Sequence, residues 1–385
     1  MSSNSKQSGF ILINKPSSFT EATEDKSGPT SHDVIDQLRK ITGIKQIGHA
    51  GTLDPFASGL LLVGIGEATK LLRHYVGLDK KYEAMLRLGA TSDTQDKTGK
   101  IQETRYKQDT ITKLKIQQVI KSFIGKQKQV PPMYSAKKIG GKKLYELARK
   151  GQNIKREAVD IEIYDIKIVL PKFRNSEIPN YLKISCHVSS GTYIRTLAHD
   201  IGQALGCGAY LEELKRTAIG DFKLADAIAI STGSLDFARD SALRHLIPLK
   251  TVLVSGTFDG LHEGHINYFQ QARKYGQRLI CIVGRGKITE QIKGKPPRYS
   301  EKERVRFVKQ CPEIDRVYLG ILGDEDAIYN FTASLRPDVI ALGYDQTAYT
   351  ENLEKEMQKR GLTVKIVRLK PYKPKKYKSS LLNVY

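Results

Sequence analysis

Residues 48–70 read GHAGTLDPFASGLLLVGIGEATK, and the first half of the chain is organised around them. One carboxylate, Asp54, sits in a Gly-rich turn directly ahead of the apolar run Leu60-Leu61-Leu62-Val63. Four apolar residues bounded by turn formers have the length and composition of a buried strand. The stretch therefore predicts an acid held at the lip of a buried strand, a position where a reactive group is both fixed and reachable.

At 385 residues the chain is longer than one hydrophobic core usually serves, which predicts two or three domains. With 39% hydrophobic residues in many short runs, each can bury an ordinary core, and wholesale disorder is excluded. The formal charge is +22, with 39 basic against 26 acidic residues up to Lys250 and 24 against 15 beyond it. Phosphate neutralisation with counterion release is the commonest use of such an excess, so a polyanionic partner is expected for both halves. Cys186, Cys207, Cys281 and Cys311 are widely spaced, with no C-x-x-C pair and no His at ligand spacing, which predicts reduced, buried thiols and no zinc. The N-terminus lacks a long apolar core and no run reaches membrane-spanning length, so the reading is of a cytoplasmic protein without a membrane partner.

Outward from residues 48–70, Phe10–Ile13 reads as a strand ended by Asn14-Lys15-Pro16, and residues 17–27 as a loop. Thr30-Ser31 offers an N-cap for a helix over about 32–40, with Val34, Ile35 and Leu38 on one face. Gly64-x-Gly66 lacks the third glycine of a dinucleotide fingerprint and is read as a bend. Between Tyr134 and Gly151, Lys137, Lys138, Lys142, Lys143 and Arg149 are interleaved with tyrosines around a Gly-Gly pair. This pattern suits a clamp whose cations contact phosphates without reading bases, or else a solvated amphipathic helix.

Singly, an Asp before Pro is an Asx-turn former and a lone Tyr a packing residue. The ordered set is more specific. GHAGTLDPFASGLL, then Lys80-Lys81-Tyr82-Glu83, the acidic turn at 91–96 with Gly99, Val130-Pro-Pro-Met-Tyr-Ser-Ala-Lys-Lys138 and Ser190-Gly-Thr-Tyr-Ile-Arg-Thr196 resemble, in order, the TruB family of tRNA pseudouridine synthases. The resemblance implies an α+β fold with a mixed, largely antiparallel sheet, and a target uridine in the tRNA T-arm, position 55. It makes Asp54 the nucleophile, attacking sugar C1′ or base C6. His49 fills the place of the flipped base, a step such chemistry requires because a stacked uridine is out of reach. Tyr82 stacks on the uracil, Arg195 keeps Asp54 ionised, and Tyr193, on the same face as Arg195 if the segment is a strand, relays a proton at C5. Lys15, Lys215 and Arg216 are implied RNA contacts and Leu211 a pocket wall. No cofactor and no metal are expected for this isomerisation, by a monomer acting on RNA. The run from Phe222 to Lys250 is too short for the RNA-binding module that usually closes these enzymes, giving a catalytic domain over 1–224 and a connecting segment over 225–250.

From Thr251 the pattern becomes strand, Gly-rich turn, helix: TVLV, then SGTFDGLHEGH, then an amphipathic run through Ala272. Such a turn lets backbone approach a phosphate at a helix N-terminus. G-x-F-D-x-x-H-x-G-H resembles the nucleotidyltransferase superfamily, and the segment from Pro337 to Gln346 with Ser379-Ser380 looks most like archaeal-type FAD synthases. This implies a Rossmann-like, doubly wound α/β domain over 251–385. In it His262 and His265 stabilise the transition state, and Gly256, Thr257, Phe258, Asp259 and Gly264 bind nucleotide. Lys293, Lys295, Asp345, Ser379 and Ser380 meet phosphate or acceptor. The implied partners are ATP or CTP with Mg²⁺ and a phosphorylated acceptor such as FMN. The alternatives are a non-catalytic nucleotide- or RNA-binding module that assists tRNA binding and, for the whole chain, an RNA-folding helper without turnover.

Overall fold

The computed structural model describes residues 8–17, 28–105, 111–135, 138–139, 142–144, 154–170, 180–229, 242–373 and 376–377. The chain divides into two compact units, Met1–Ile247 and Pro248–Tyr385.

The first unit is built on a mixed sheet. Nine of its eleven described strands are β1 (Gly9–Lys15), β2 (Ile47–His49), β3 (Ser58–Ile65), β4 (Lys80–Leu88), β5 (Gly125–Gln129), β6 (Val159–Leu170), β7 (Tyr181–Val188), β8 (Ala209–Ile219) and β9 (Ile228–Ala229). The order is β9-β1-β3-β8-β4-β7-β6-β5, with β2 on β3; of these neighbouring pairs β1–β9 and β3–β8 run parallel and the rest antiparallel. The predicted Leu60–Val63 strand is central, and its four residues are fully buried. An unbroken apolar run is what a strand covered on both faces requires. β4 instead alternates, sending Tyr82, Ala84, Leu86 and Leu88 into the core. Helix α1 (Ser31–Thr42) starts at a Thr30–Asp33 capping box and stops at Gly43, φ 71°, and its Val34, Ile35 and Leu38 pack with Ile11, Ile13, Leu61 and Val63. Helices α2 (Lys113–Ser122) and α3 (Ile194–Leu205) close the larger core over β4, β6 and β7.

Within the connecting segment, Ile228 and Ala229 pair with β1, and Ala242 is buried with residues of α1 and β3, where an apolar side chain gains more than by solvation. The Gly191–Thr196 segment is not a strand. Tyr193 is the N-cap of α3 and Arg195 lies in its first turn.

The second unit is a parallel five-stranded sheet in the order β12-β11-β10-β13-β14, comprising β10 (Thr251–Gly256), β11 (Arg278–Val283), β12 (Arg316–Leu319), β13 (Val339–Leu342) and β14 (Lys365–Arg368). Alternate residues of its apolar runs feed two cores. Val252, Val254, Cys281 and Val339 pack with α4 (Glu263–Arg273) and α5 (Glu301–Lys309), while Leu253, Ile280 and Ile340 pack with α6 (Glu325–Ser334) and α7 (Leu353–Lys359). Helices on both faces make this a doubly wound sheet, and its strand order reverses between β10 and β13, the place where such folds bind ligands. All four cysteines are buried and outside any disulfide. Among the described residues no helix is long and apolar enough to cross a membrane.

Candidate active sites

Asp54 lies in the loop between β2 and β3, and that loop is fixed by buried cations. The Lys15 Nζ, 0% exposed, donates to the carbonyls of Pro55 (2.8 Å) and Ala57 (2.5 Å). Arg216, 1% exposed, donates from Nη2 to Gly51 O (3.0 Å), from Nη1 to Thr52 O (3.3 Å) and from Nε to Leu60 O (2.8 Å). Gly59, φ 106°, permits this: a Cβ there would stand 2.3 Å from the Arg216 carbonyl oxygen. The Ser31 hydroxyl completes the frame, accepting from Leu53 N at 2.9 Å. Lys15 and Arg216 were expected on RNA phosphates. Both are instead scaffold, because three carbonyl acceptors apiece compensate a buried cation where no solvent reaches it. Leu211, expected as a pocket wall, is likewise fully buried, its backbone pairing with Gln95 and Lys97 beneath the acidic turn. Lys215 is exposed, as an RNA contact must be.

Arg195, only 4% exposed, reaches Asp54 from below. Its Nη2 donates to Asp54 Oδ1 at 3.0 Å, and its Nε stands 3.0 Å from Oδ2, an ion-pair contact off the line of a hydrogen bond. Nη1 donates to Asp96 Oδ2 (3.2 Å) and Nη2 also to Tyr134 O (2.7 Å). One guanidinium thus serves two carboxylates. Asp96 was within a segment the sequence singled out, yet no role could be assigned to it; it accepts in addition from Thr94 Oγ1, Thr98 N and Thr98 Oγ1. Burial pushes the Asp54 carboxyl above its ordinary range, Arg195 pulls it back, Asp96 pushes it up again and Lys15 opposes that.

Tyr82 and Tyr193 both feel the Asp54 charge, and Tyr82 and His49 both feel Arg216. Burial raises both phenols and keeps them protonated; Arg216 lies beside Tyr82, and Ser135, Arg195 and Asp54 beside Tyr193. Burial and Arg216 lower the His49 imidazole, favouring its neutral form. Lys138–Ile139 pairs with Lys142–Lys143 as a short antiparallel ladder within the basic segment. Lys137 and Arg149 fall outside the described residues, as do Ser379 and Ser380 of the second unit.

In the second unit a cleft of about 550 Å³ opens where β10 and β13 diverge. Gly256, Thr257, Phe258, His262, Gly264, His265, Lys293 and Asp345 line it. His262 is the N-cap of α4 and His265 stands one turn along, their rings stacked at 3.9 Å. Gly264 makes room, since a Cβ there would lie 2.9 Å from the His262 ring. Burial, with His262 and Lys293 adding to it, pushes His265 down to about 3, so it is a neutral ring and a hydrogen-bond donor. Phe258, φ 53° and 3% exposed, packs edge-on under His265 and supports it. Asp259, expected on nucleotide, accepts from the backbone N–H of Arg298 (2.8 Å) and Tyr299 (2.9 Å) and so shapes the following loop. Lys295 is exposed and does not line the cleft. Arg304, fully buried, was not anticipated: it donates to Thr257 O (2.7 Å) and Gly284 O (2.8 Å), tying the phosphate-type turn to β11. Asp345 is the one carboxylate lining the cleft, and no cluster of three His, Cys, Asp or Glu occurs among the described residues. A resident metal centre does not fit these donors.

Residues 39–194 match the TruB family pseudouridylate synthase (N terminal domain), residues 195–253 the tRNA pseudouridylate synthase B C-terminal domain, and residues 253–382 the cytidylyltransferase-like family. The chain is 44% identical over 246 residues to tRNA pseudouridine synthase B of Thermosipho melanesiensis, covering 64% of this chain and 73% of that protein. It is 44% identical to the protein of that name from Syntrophomonas wolfei, covering 63% and 76%. Among solved structures, the lipopolysaccharide core biosynthesis protein from Thermoplasma volcanium is 36% identical, over 32% of this chain and 99% of that one, with a TM-score of 0.30. Relatives matched over about three quarters of their own length identify the lineage: this chain belongs to the TruB family of tRNA pseudouridine synthases and carries a cytidylyltransferase-like domain beyond it.

Proposed function

We propose that the first unit isomerises the T-loop uridine of tRNA, position 55, to pseudouridine with Asp54 as nucleophile. The observation that carries this is the Asp54–Arg195 pair at the end of a buried strand. Uracil leaves the stack, His49 takes its place, and Tyr82 stacks on the extruded base. Asp54 attacks C1′ or C6, the N1–C1′ bond breaks, the uracil turns, a C5–C1′ bond forms and the bond from Asp54 to the carbon it attacked breaks, freeing the carboxylate, while N1 takes up a proton in place of the one C5 loses. The C5 proton then leaves through the Tyr193 phenol, which its burial keeps protonated and so suited to relay rather than to act as a phenolate. Lys215 and the basic segment hold phosphates. A T-arm transcript tritiated at uridine C5 is expected to release tritium, and uridine-to-cytidine replacement at position 55 to abolish release. Undiminished release from the replaced transcript overturns the assignment.

For the second unit we infer nucleotidyl transfer, AMP from ATP or CMP from CTP, to a phosphorylated acceptor such as FMN. Attack of the acceptor phosphate on the α-phosphorus forms the new P–O–P bond and expels diphosphate. The stacked His262–His265 pair at the cleft carries this reading, as two donors aimed where charge develops. Mg²⁺ bound with the triphosphate supplies charge neutralisation; the chain's own part is to orient phosphates on the α4 N-terminus and Lys293. With the full chain, FMN and either nucleotide, diphosphate release is expected, reduced about 10²–10³-fold by His265→Gln. Because His265 is already neutral in the free protein, kcat/KM should show no limb from His265 down to about pH 5. Absence of diphosphate with both nucleotides and a range of phosphorylated acceptors would sink this reading and favour the RNA-binding module, which the excess of 24 basic over 15 acidic residues supports.

A further inference from the structure

We propose that Gln129 is a positioning residue for pseudouridine formation, acting as a main-chain clamp on Tyr193. Gln129 ends the edge strand β5 and is 4% exposed. Its side-chain amide meets both backbone groups of Tyr193, 64 residues away: Oε1 accepts from Tyr193 N at 2.8 Å, and Nε2 donates to Tyr193 O at 3.0 Å. Tyr193 is the N-cap of α3, so its N–H has no helical acceptor, and its carbonyl already accepts the first helical bond from Leu197 N at 3.1 Å. A primary amide both accepts and donates in this fork; a carboxylate would repel the carbonyl, and an apolar side chain would leave the Tyr193 N–H without its acceptor and the carbonyl with its helical bond alone.

The clamp is part of a longer template. Six residues on, Ser135 lies against the Tyr193 side chain, and between them the Tyr134 carbonyl accepts from Arg195 Nη2 at 2.7 Å. The stretch from Gln129 to Ser135 therefore touches Tyr193 at both ends and Arg195 at Tyr134. It fixes the entry of α3 relative to the base pocket, and Gln129 is the member that holds the backbone. A neighbouring helix could bury an apolar residue here equally well, so the amide's two bonds are what point to positioning.

The inference rests on Tyr193 acting at the base, and the experiment separates the two. Gln129→Met, Gln129→Glu, Tyr193→Ala and Gln129→Met/Tyr193→Ala are compared in the full chain for single-turnover pseudouridine formation, tRNA affinity and thermal unfolding. Each Gln129 variant is expected to lose about 10–100-fold in rate, the scale of a sub-ångström misplacement, with tRNA affinity within about threefold. In the Tyr193→Ala background Gln129→Met should cost less than about threefold more, because the group it positions is gone. Additive losses, or a loss in affinity with the rate kept, overturn the clamp. If Tyr193→Ala itself forms pseudouridine at the parent rate, the role of Tyr193 fails and the clamp with it.

Discussion

Asp54→Asn is expected to leave the chain folded and to lower pseudouridine formation by at least about 10⁴-fold, the scale seen when an enzyme loses its nucleophile. Asparagine keeps the shape and an oxygen for Arg195 Nη2, and it gives up the lone-pair charge the attack needs. Stability should hold or rise. Burial sets the folded Asp54 above the ordinary carboxylate range, so the folded chain binds that proton more tightly than the unfolded one. The corresponding stability is present at low pH and lost as pH rises through the folded value. At neutral pH the parent therefore carries a cost that the amide does not, a trade of stability for function. Tritium release and thermal unfolding measured on the same preparations check both halves. A variant that keeps more than a hundredth of the parent rate would remove Asp54 from the nucleophile's place, and one that also unfolds several degrees lower would show the carboxylate to be a structural member of the loop.

Much of this architecture is legible from residue order. The all-apolar Leu60–Val63 run reads as a buried strand because hydrophobic period is local, whereas the doubly wound sheet of the second unit followed from the resemblance carried by the string at residues 256–265. The Thr30 cap and the His262–His265 spacing were equally local. What escaped is long-range. Lys15 and Arg216 look like surface cations until the β2–β3 loop is seen to fold its carbonyls onto them. Asp96 is 99 residues from Arg195, and Asp259 about 40 from the loop it holds, so no spacing rule joins either pair. Tyr193 misled for another reason: Thr192-Tyr193-Ile194 has strand propensity, and the cap position with its amide clamp overrides it. Basic composition suggests a polyanion partner, but it cannot tell a cation that meets phosphate from one that meets a carbonyl.

Arg195→Met should be the more damaging of the two to the stability of the first unit, because it takes the cation from two carboxylates at once. Asp96 is 5% exposed and Asp54 32%, and each now has the guanidinium between it and the other. Removing one partner of a buried ion pair costs about 3–5 kcal/mol through the charge left behind. The sign of the pH dependence follows. Arg195 is the leading influence holding Asp54 down against its burial, so without it the folded pKa climbs further. Stability of the variant is then greatest in mild acid, where the proton is retained, and falls as pH rises through that folded value, opposite to the usual salt-bridged carboxylate. The acid limb of kcat moves alkaline in parallel, since ionised Asp54 is the reactive form, and the rate near neutrality drops by about 10³-fold or more. Arg195→Lys keeps the charge but not the fork that spans Asp54, Asp96 and Tyr134 O, and should fall between. Adding Asp96→Asn to Arg195→Met removes the second stranded charge and is expected to return stability without returning activity. An Arg195→Met chain whose acid limb and stability curve keep the parent's shape would show that Arg195 serves by packing and hydrogen-bond geometry, not by its charge.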